Sequence, residues 1–178
     1  LLDRKLPAEE TVHLLGNHER ILLEFLERPE VGANWLLYGG VETLASYGIE
    51  FGGIGGIPAT RLARARDLLA ERLPAHHLAF LAGLKTSHEE GDYFFAHAGV
   101  RPGVPLARQT EDDLIWIREE FLASSADHGK IVVHGHTIRE QPEVKPNRIG
   151  IDTGAFWTGR LTALVLEGER VGFLETGA

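Results

Sequence analysis

The chain has 178 residues, 43% hydrophobic and 25% charged, enough apolar material to bury the core of one globular domain. Its net charge of −8 argues against a sequence-independent nucleic-acid binder, which needs a basic footprint, and no stretch approaches the roughly 20 apolar residues of a membrane-spanning helix. With no cysteine there is no disulfide frame and no thiolate metal site, a composition compatible with the cytoplasm.

Asp3-Arg4 reads as a loop or helix end ahead of a strand over about 11–16. That strand leads into a helix over about 18–27, ended by Pro29, and a second helix over about 33–46 stops at Gly48. Phe51-Gly52-Gly53-Ile54-Gly55-Gly56-Ile57-Pro58 is a loop. It has neither Gly-Lys-Ser/Thr nor GxGxxG spacing, so an interhelix connection outweighs a lid. Leu62, Ala65, Leu69 and Leu73 share one face of an amphipathic helix over about 59–73. Arg61, Arg64, Arg66 and Arg72 decorate the remainder, as a solvated face rather than a docking stripe. A short helix over about 75–82 follows Pro74, and strands over about 85–89 and 93–97 pair around Glu90-Gly91-Asp92. A helix over about 111–123 follows, then strands over about 130–134, 147–151, 161–167 and 169–175, the last two joined through Gly168. No linker or repeat interrupts the chain, so residues 1–178 read as a single α/β domain.

Three of these apolar runs end in a histidine beside a glycine. Thr11–Leu15 runs into Gly16-Asn17-His18-Glu19, Tyr93–Ala96 into His97-Ala98-Gly99, and Lys130–Val133 into His134-Gly135-His136-Thr137. Ligands of α/β folds bind at the carboxyl ends of strands. Imidazole and amide groups gathered there suit a transition metal.

The ordered set Gly-Asn-His-Glu, His-Ala-Gly and Gly-His-Thr resembles the metal-dependent phosphoprotein phosphatases of the calcineurin-like metallophosphoesterase superfamily. Tyr38-Gly39-Gly40 through Gly48, Leu114-Ile115-Trp116-Ile117-Arg118-Glu119-Glu120-Phe121 and Ile151-Asp152-Thr153-Gly154-Ala155 are similar to its bacterial branch. That branch holds protein serine/threonine phosphatases and diadenosine tetraphosphatases. The resemblance implies two packed mixed β-sheets flanked by helices, and two divalent metal ions, Mn²⁺ foremost, with Fe or Zn²⁺ possible. The family's opening Gly-Asp-x-His and Gly-Asp-x-x-Asp-Arg-Gly motifs do not occur here. The chain also begins with Leu and holds no Met, so the domain is expected to be N-terminally incomplete and to lack the first strands and the metal-bridging Asp.

Roles carry over residue by residue. Asn17, His97 and His136 are implied as metal ligands, His18 as the general acid, and Arg118 as the phosphate-clamping arginine. Each has a plainer reading: Asn17 as a helix N-cap, His18 as a surface histidine at a helix start, Arg118 as an exposed arginine paired with Glu111 or Glu119. His134 is expected to be structural or to support a ligand, Arg101 is a weaker second phosphate candidate, and Asp152 a turn-former or an acceptor behind the ligands rather than a ligand itself. His13, His76, His77, His88 and His128 carry no motif. Among the aromatics, Trp35, Tyr38 and Tyr47 could stack a base but at helical spacing suit a core. The implied activity is two-metal hydrolysis of a phosphoester, with phosphoserine or phosphothreonine proteins as substrate. The alternatives are a dinucleoside tetraphosphate hydrolase, or an inactive fragment or pseudoenzyme with a binding role. No nucleic-acid polymer or membrane partner is expected.

Overall fold

The computed structural model describes residues 10–53 and 55–177; Asp3-Arg4 and Ile54 lie outside them. The chain divides into two compact units, 1–84 and 85–178.

The first unit is helical. Helix α1 spans Asn17–Glu27 and starts from an extended Gly16, whose N–H donates to Glu19 Oε2 at 3.0 Å. Leu22 and Phe25 turn its apolar face into the core, and an extended Arg28 followed by Pro29 ends it. The helix predicted over 33–46 is broken. Gly32–Trp35 (α2) passes through a 3₁₀ turn, Leu36–Tyr38, and resumes as α3, Gly40–Ser46. The break is at Gly39, whose φ of 107° is open to glycine and strained for other residues. Helices α4 (Ala59–Arg72) and α5 (Ala75–Ala82) match the prediction. Leu62, Ala65 and Leu69 of α4 pack with Phe25, Trp35 and Leu44 in one hydrophobic cluster. The strand predicted over 11–16 is reduced to a single bridging residue, Leu14.

Several aromatic and basic groups of this unit are committed to packing. Trp35 is 2% exposed, and the Tyr47 hydroxyl meets His77 Nδ1 at 3.0 Å. Three of the α4 arginines are used locally: Arg61 lies over Phe51, Arg66 pairs with Asp67, and Arg72 donates to the Gly48 carbonyl. Tyr38, by contrast, is exposed.

The second unit is built on a five-stranded mixed sheet. Its strands are β1 (Ser87–Glu90), β2 (Tyr93–Ala96), β3 (Ile131–His134), β4 (Glu143–Lys145) and β5 (Arg148–Gly150), in the order β1-β2-β3-β5-β4. Strands β2, β3 and β5 run parallel, with β1 and β4 antiparallel at the edges. A parallel strand buried on both faces carries a continuous apolar run, as Val132-Val133 of β3 does. The helix predicted over 111–123 splits into α6 (Glu111–Trp116) and α7 (Glu119–Leu122) at Ile117-Arg118, where the backbone leaves the helical region. A one-turn helix, α8 (Ala155–Thr158), links β5 to a separate antiparallel ribbon of β6 (Thr162–Glu167) and β7 (Arg170–Glu175). The structure is thus mixed α/β. Where two packed mixed sheets were expected, the described residues form one mixed sheet and one two-stranded antiparallel ribbon.

Candidate active site

The parallel register of β2, β3 and β5 sets their carboxyl ends side by side: Phe95 is level with Val133, and His134 with Gly150. The chains leaving these ends stay bonded, since Gly135 N donates to His97 O at 2.9 Å and Ile151 N to His134 O at 2.9 Å. His97 and His136 are thereby brought together. His97 Nε2 lies 3.1 Å from His136 Nδ1, with ring centroids 4.9 Å apart.

His136 is held in an unusual way. Its φ is 60°, positive for a residue that has a Cβ, and Thr137 N donates to Gly135 O at 2.7 Å across it. This is a strained γ-turn, and strain of this kind collects at sites where a side chain must be aimed. Arg118 reaches the same turn from the α6–α7 break. Its Nη1 donates to His136 O at 3.0 Å and to Thr137 Oγ1 at 3.2 Å. The pairing with Glu111 or Glu119 considered from sequence is replaced by a bond to the histidine's own turn. The Trp116 ring stands edge-on to His136, with centroids 6.0 Å apart.

The neighbouring groups separate cleanly. His134 is 4% exposed and packs its ring edge-on to Phe121, 5.0 Å between centroids. Burial lowers its pKa, although its bond to the Gly135 carbonyl opposes the shift. Its Nε2 is buried without a hydrogen-bond partner. The γ-turn at His136 breaks the strand alternation that would have put both rings on one face. Arg101 donates to Asp113 from Nε at 2.9 Å and from Nη2 at 2.6 Å, and to Glu120 from Nη1 at 2.7 Å, so its charge is committed within the protein. Asp152 Oδ1 accepts from Gly154 N at 3.0 Å, the turn-forming role expected of it. The side chain also stands near the histidine turn: a Cβ placed on Gly135 would lie 3.7 Å from Asp152 Cβ. His13 meets Phe80 and His76 meets His77 edge to face, and His128 packs tilted against Phe121.

Asn17 and His18 belong to the first unit. Gly16, not Asn17, is the N-cap of α1, and Asn17 is buried at the first helical position. His18 follows at the exposed helix start, where the macrodipole favours anions. Its ring borders the Gly39 turn: a Cβ placed on Gly39 would lie 3.8 Å from His18 Cε1. Thr137 and Trp116 were not singled out in the sequence as site residues. Their signal was present, since each sits within a motif already noted, Gly-His-Thr and Trp-Ile-Arg.

No protein-family model matches the chain, and no curated protein matches it. A crystal structure provisionally named as a diadenosine tetraphosphatase superposes with a TM-score of 0.58 at 22% identity, covering 93% of this chain and 68% of that one. The chain shares that protein's fold. Among the described residues no group of three or more His, Cys, Asp or Glu side chains is gathered as a metal cage, and no helix is long and apolar enough to cross a membrane.

Proposed function

We propose that this protein is a metal-dependent phosphoester hydrolase of the calcineurin-like kind. The observation that carries the reading is the His97–His136 pair at the ends of adjacent parallel strands, with Arg118 fastened to the same turn. The donor set fits a metal. Two nitrogens each about 2.0–2.1 Å from one ion, in tetrahedral geometry, stand about 3.4 Å apart and closer at narrower angles, and the pair here is separated by 3.1 Å. Neutral imidazole is a good donor to Mn²⁺, Fe or Zn²⁺. His97 and His136 would hold the ion, with Asn17 as a further ligand by the sequence resemblance. When bound, divalent metal supplies Lewis-acid polarisation of the phosphoryl oxygens and a nucleophile at neutral pH.

The chain's own groups have separate tasks. Arg118 donates from one guanidinium nitrogen to the His136 turn and can offer others to phosphate oxygens, so it aims the turn and offsets phosphate charge. With a net charge of −8, the molecule as a whole does not attract anions, so local charge of this kind has to hold the substrate. His18, exposed at a helix start, is suited to deliver a proton to a leaving oxygen. The sequence motifs favour phosphoserine and phosphothreonine proteins. The name of the structural neighbour favours a second reading, a dinucleoside tetraphosphate. The test is kcat/KM of the full-length protein with Mn²⁺ on a phosphoserine peptide and on diadenosine tetraphosphate. Turnover of either one supports the reading, the larger value identifies the substrate class, and turnover of neither refutes the hydrolase.

A further inference from the structure

Among the described residues Arg148, on β5, is the least exposed charged side chain, at 1%. Burying a guanidinium is costly, and apolar residues of similar volume often replace a buried ion pair with no loss of stability. What the planar fork of donors does well is fix several acceptors in one geometry.

Two of its acceptors are backbone carbonyls at the end of α7. Arg148 Nη2 donates to the Leu122 carbonyl, and Nη1 to Ser124 O at 3.0 Å and to Asn147 Oδ1 at 3.3 Å. Its Nε donates to Glu143 Oε2 at 3.2 Å. The buried Asn147 adds bonds from Nδ2 to Ser124 O at 3.1 Å and to Ala126 O at 2.9 Å. Carbonyls at a helix end have no intrahelical partner. Helix α7 is only four residues long, and fixing a first helical turn costs more than its own bonds supply. Arg148 and Asn147 therefore hold α7 to β5 by its C-terminal end.

The other end of α7 is Arg118, its N-cap. Leu122, whose carbonyl Arg148 holds, donates its own N–H to Arg118 O at 2.9 Å, and Phe121 N donates to the same oxygen at 3.0 Å. One residue thus connects the buried guanidinium to the backbone of the arginine that reaches the His136 turn. A second connection runs through the core. The Arg148 guanidinium carbon lies 5.6 Å from the centroid of the Phe121 ring, which meets His134 edge-on. On the sheet, Arg148 is level with Val132 of β3, the strand that ends at His134. Arg148 spans the helix that starts at Arg118 and the strands whose ends carry the histidines.

We propose that Arg148, assisted by Asn147, is a positioning residue for phosphate binding that acts through Leu122 on Arg118. This rests on the phosphoester reading and adds the group that aims the arginine of that site. A guanidinium that clamps phosphate through parallel bonds depends on placement, and a misplacement of about 1 Å can cost about 100-fold. A one-turn helix released from the sheet at its C-terminal end allows such a shift at its N-cap.

The test uses the full-length protein with Mn²⁺. The phosphate Kd is measured by isothermal titration, and KM on whichever of a phosphoserine peptide and diadenosine tetraphosphate is turned over faster. Arg148→Lys keeps the charge but not the fork. It should raise KM and the phosphate Kd about tenfold, with kcat per folded molecule little changed. Asn147→Ala removes one brace and leaves Arg148 in place. It should shift both constants the same way by a smaller factor, and it decides the question should Arg148→Lys fail to fold. In an Arg118→Ala background neither substitution should raise KM or Kd further, because residues that act through one another are not additive. Equal factors with and without Arg118 overturn the proposal. A lowered Tm with unchanged KM and Kd also overturns it, since Arg148 and Asn147 would then serve stability alone. A wild type that binds phosphate but hydrolyses neither substrate overturns the hydrolase reading alone, the positioning then being decided by Kd. A wild type that binds no phosphate overturns both.

Discussion

At the scale of single residues, the candidate site depends on backbone geometry as much as on side-chain chemistry. Because His136 sits in a γ-turn held by Arg118, the proposed ligand role of one and positioning role of the other should separate by experiment. His136→Ala should reduce affinity for Mn²⁺ by more than about 100-fold, since even outer partners of a ligand cost 10–100-fold when lost. Isothermal titration checks this, and unchanged affinity would remove His136 as a ligand. Arg118→Ala should chiefly weaken the binding of substrate and free phosphate, read as a rise in KM and in the phosphate inhibition constant. His18→Asn should lower kcat by about 10²–10⁴ on a substrate with a poor leaving group while leaving metal content intact. An unaltered kcat on such a substrate would exclude it as general acid. Gly99 is a different kind of position. Its φ is 144°, and a Cβ there would come within 2.3 Å of the Phe121 ring. Gly99→Ala should therefore destabilise by about 1–3 kcal/mol, with a lowered Tm as the readout.

At the scale of elements, the α6 start shows how charge fixes a segment. Thr110 caps the helix by accepting from Asp113 N at 3.2 Å, and its hydroxyl donates to Asp113 Oδ2 at 2.7 Å. Arg101 closes on the other carboxylate oxygen. Burial pushes the Asp113 carboxyl up, but the bonds from Arg101 and Thr110, with the arginine's charge, outweigh it and leave the pKa below the ordinary 3.8. A carboxylate with a lowered folded pKa contributes stability above its unfolded pKa and loses it as pH falls through the folded value. The stability gap between wild type and Asp113→Asn should accordingly hold near neutral pH and narrow as pH falls below about 3.8, measured by urea unfolding across pH. A gap that does not change with pH would mean that the ionised carboxylate contributes nothing. The same stretch explains a misread element. Leu114 and Ile115 are followed seven residues later by Phe121 and Leu122, all buried, so the apolar period runs through the break as if one helix continued. What interrupts it is Arg118 turning to the His136 carbonyl, a contact 18 positions away that local periodicity cannot show.

At the scale of the whole chain, the sequence was legible wherever burial imposed a period and illegible where tertiary partners set the backbone. The apolar runs ending at His97 and His134 gave the parallel strands and the ends that carry the histidines. Glu143-Val144-Lys145 escaped notice because a three-residue polar edge strand leaves no hydrophobic signature, and Ala155–Thr158 because one turn is too short to show a period. The ordered motifs placed His97 and His136 at adjacent strand ends, where the structure brings them together. The γ-turn at His136 and the commitment of Arg101 to Asp113 were not legible, since both are set by groups distant in sequence. The two hydrophobic clusters fall one to each unit, around Leu69 and Phe25 in the first and Phe121 and Val132 in the second. Leu69 and Phe121 are both fully buried, so truncation should cost about 2–5 kcal/mol for Leu69→Ala and about 3–5 kcal/mol for Phe121→Ala. Hydrogen exchange shows where each loss lands. Leu69→Ala should lower protection in α1 and α4, whose buried residues share one cluster with it. Phe121→Ala should lower it in β2, β3 and α7. It should also weaken Mn²⁺ binding, because the Phe121 ring backs His134, and His134 anchors the strand end from which His136 is presented. A Phe121→Ala protein with full metal affinity would show that the His136 turn is held by Arg118 and the strand ends without support from the core beneath it.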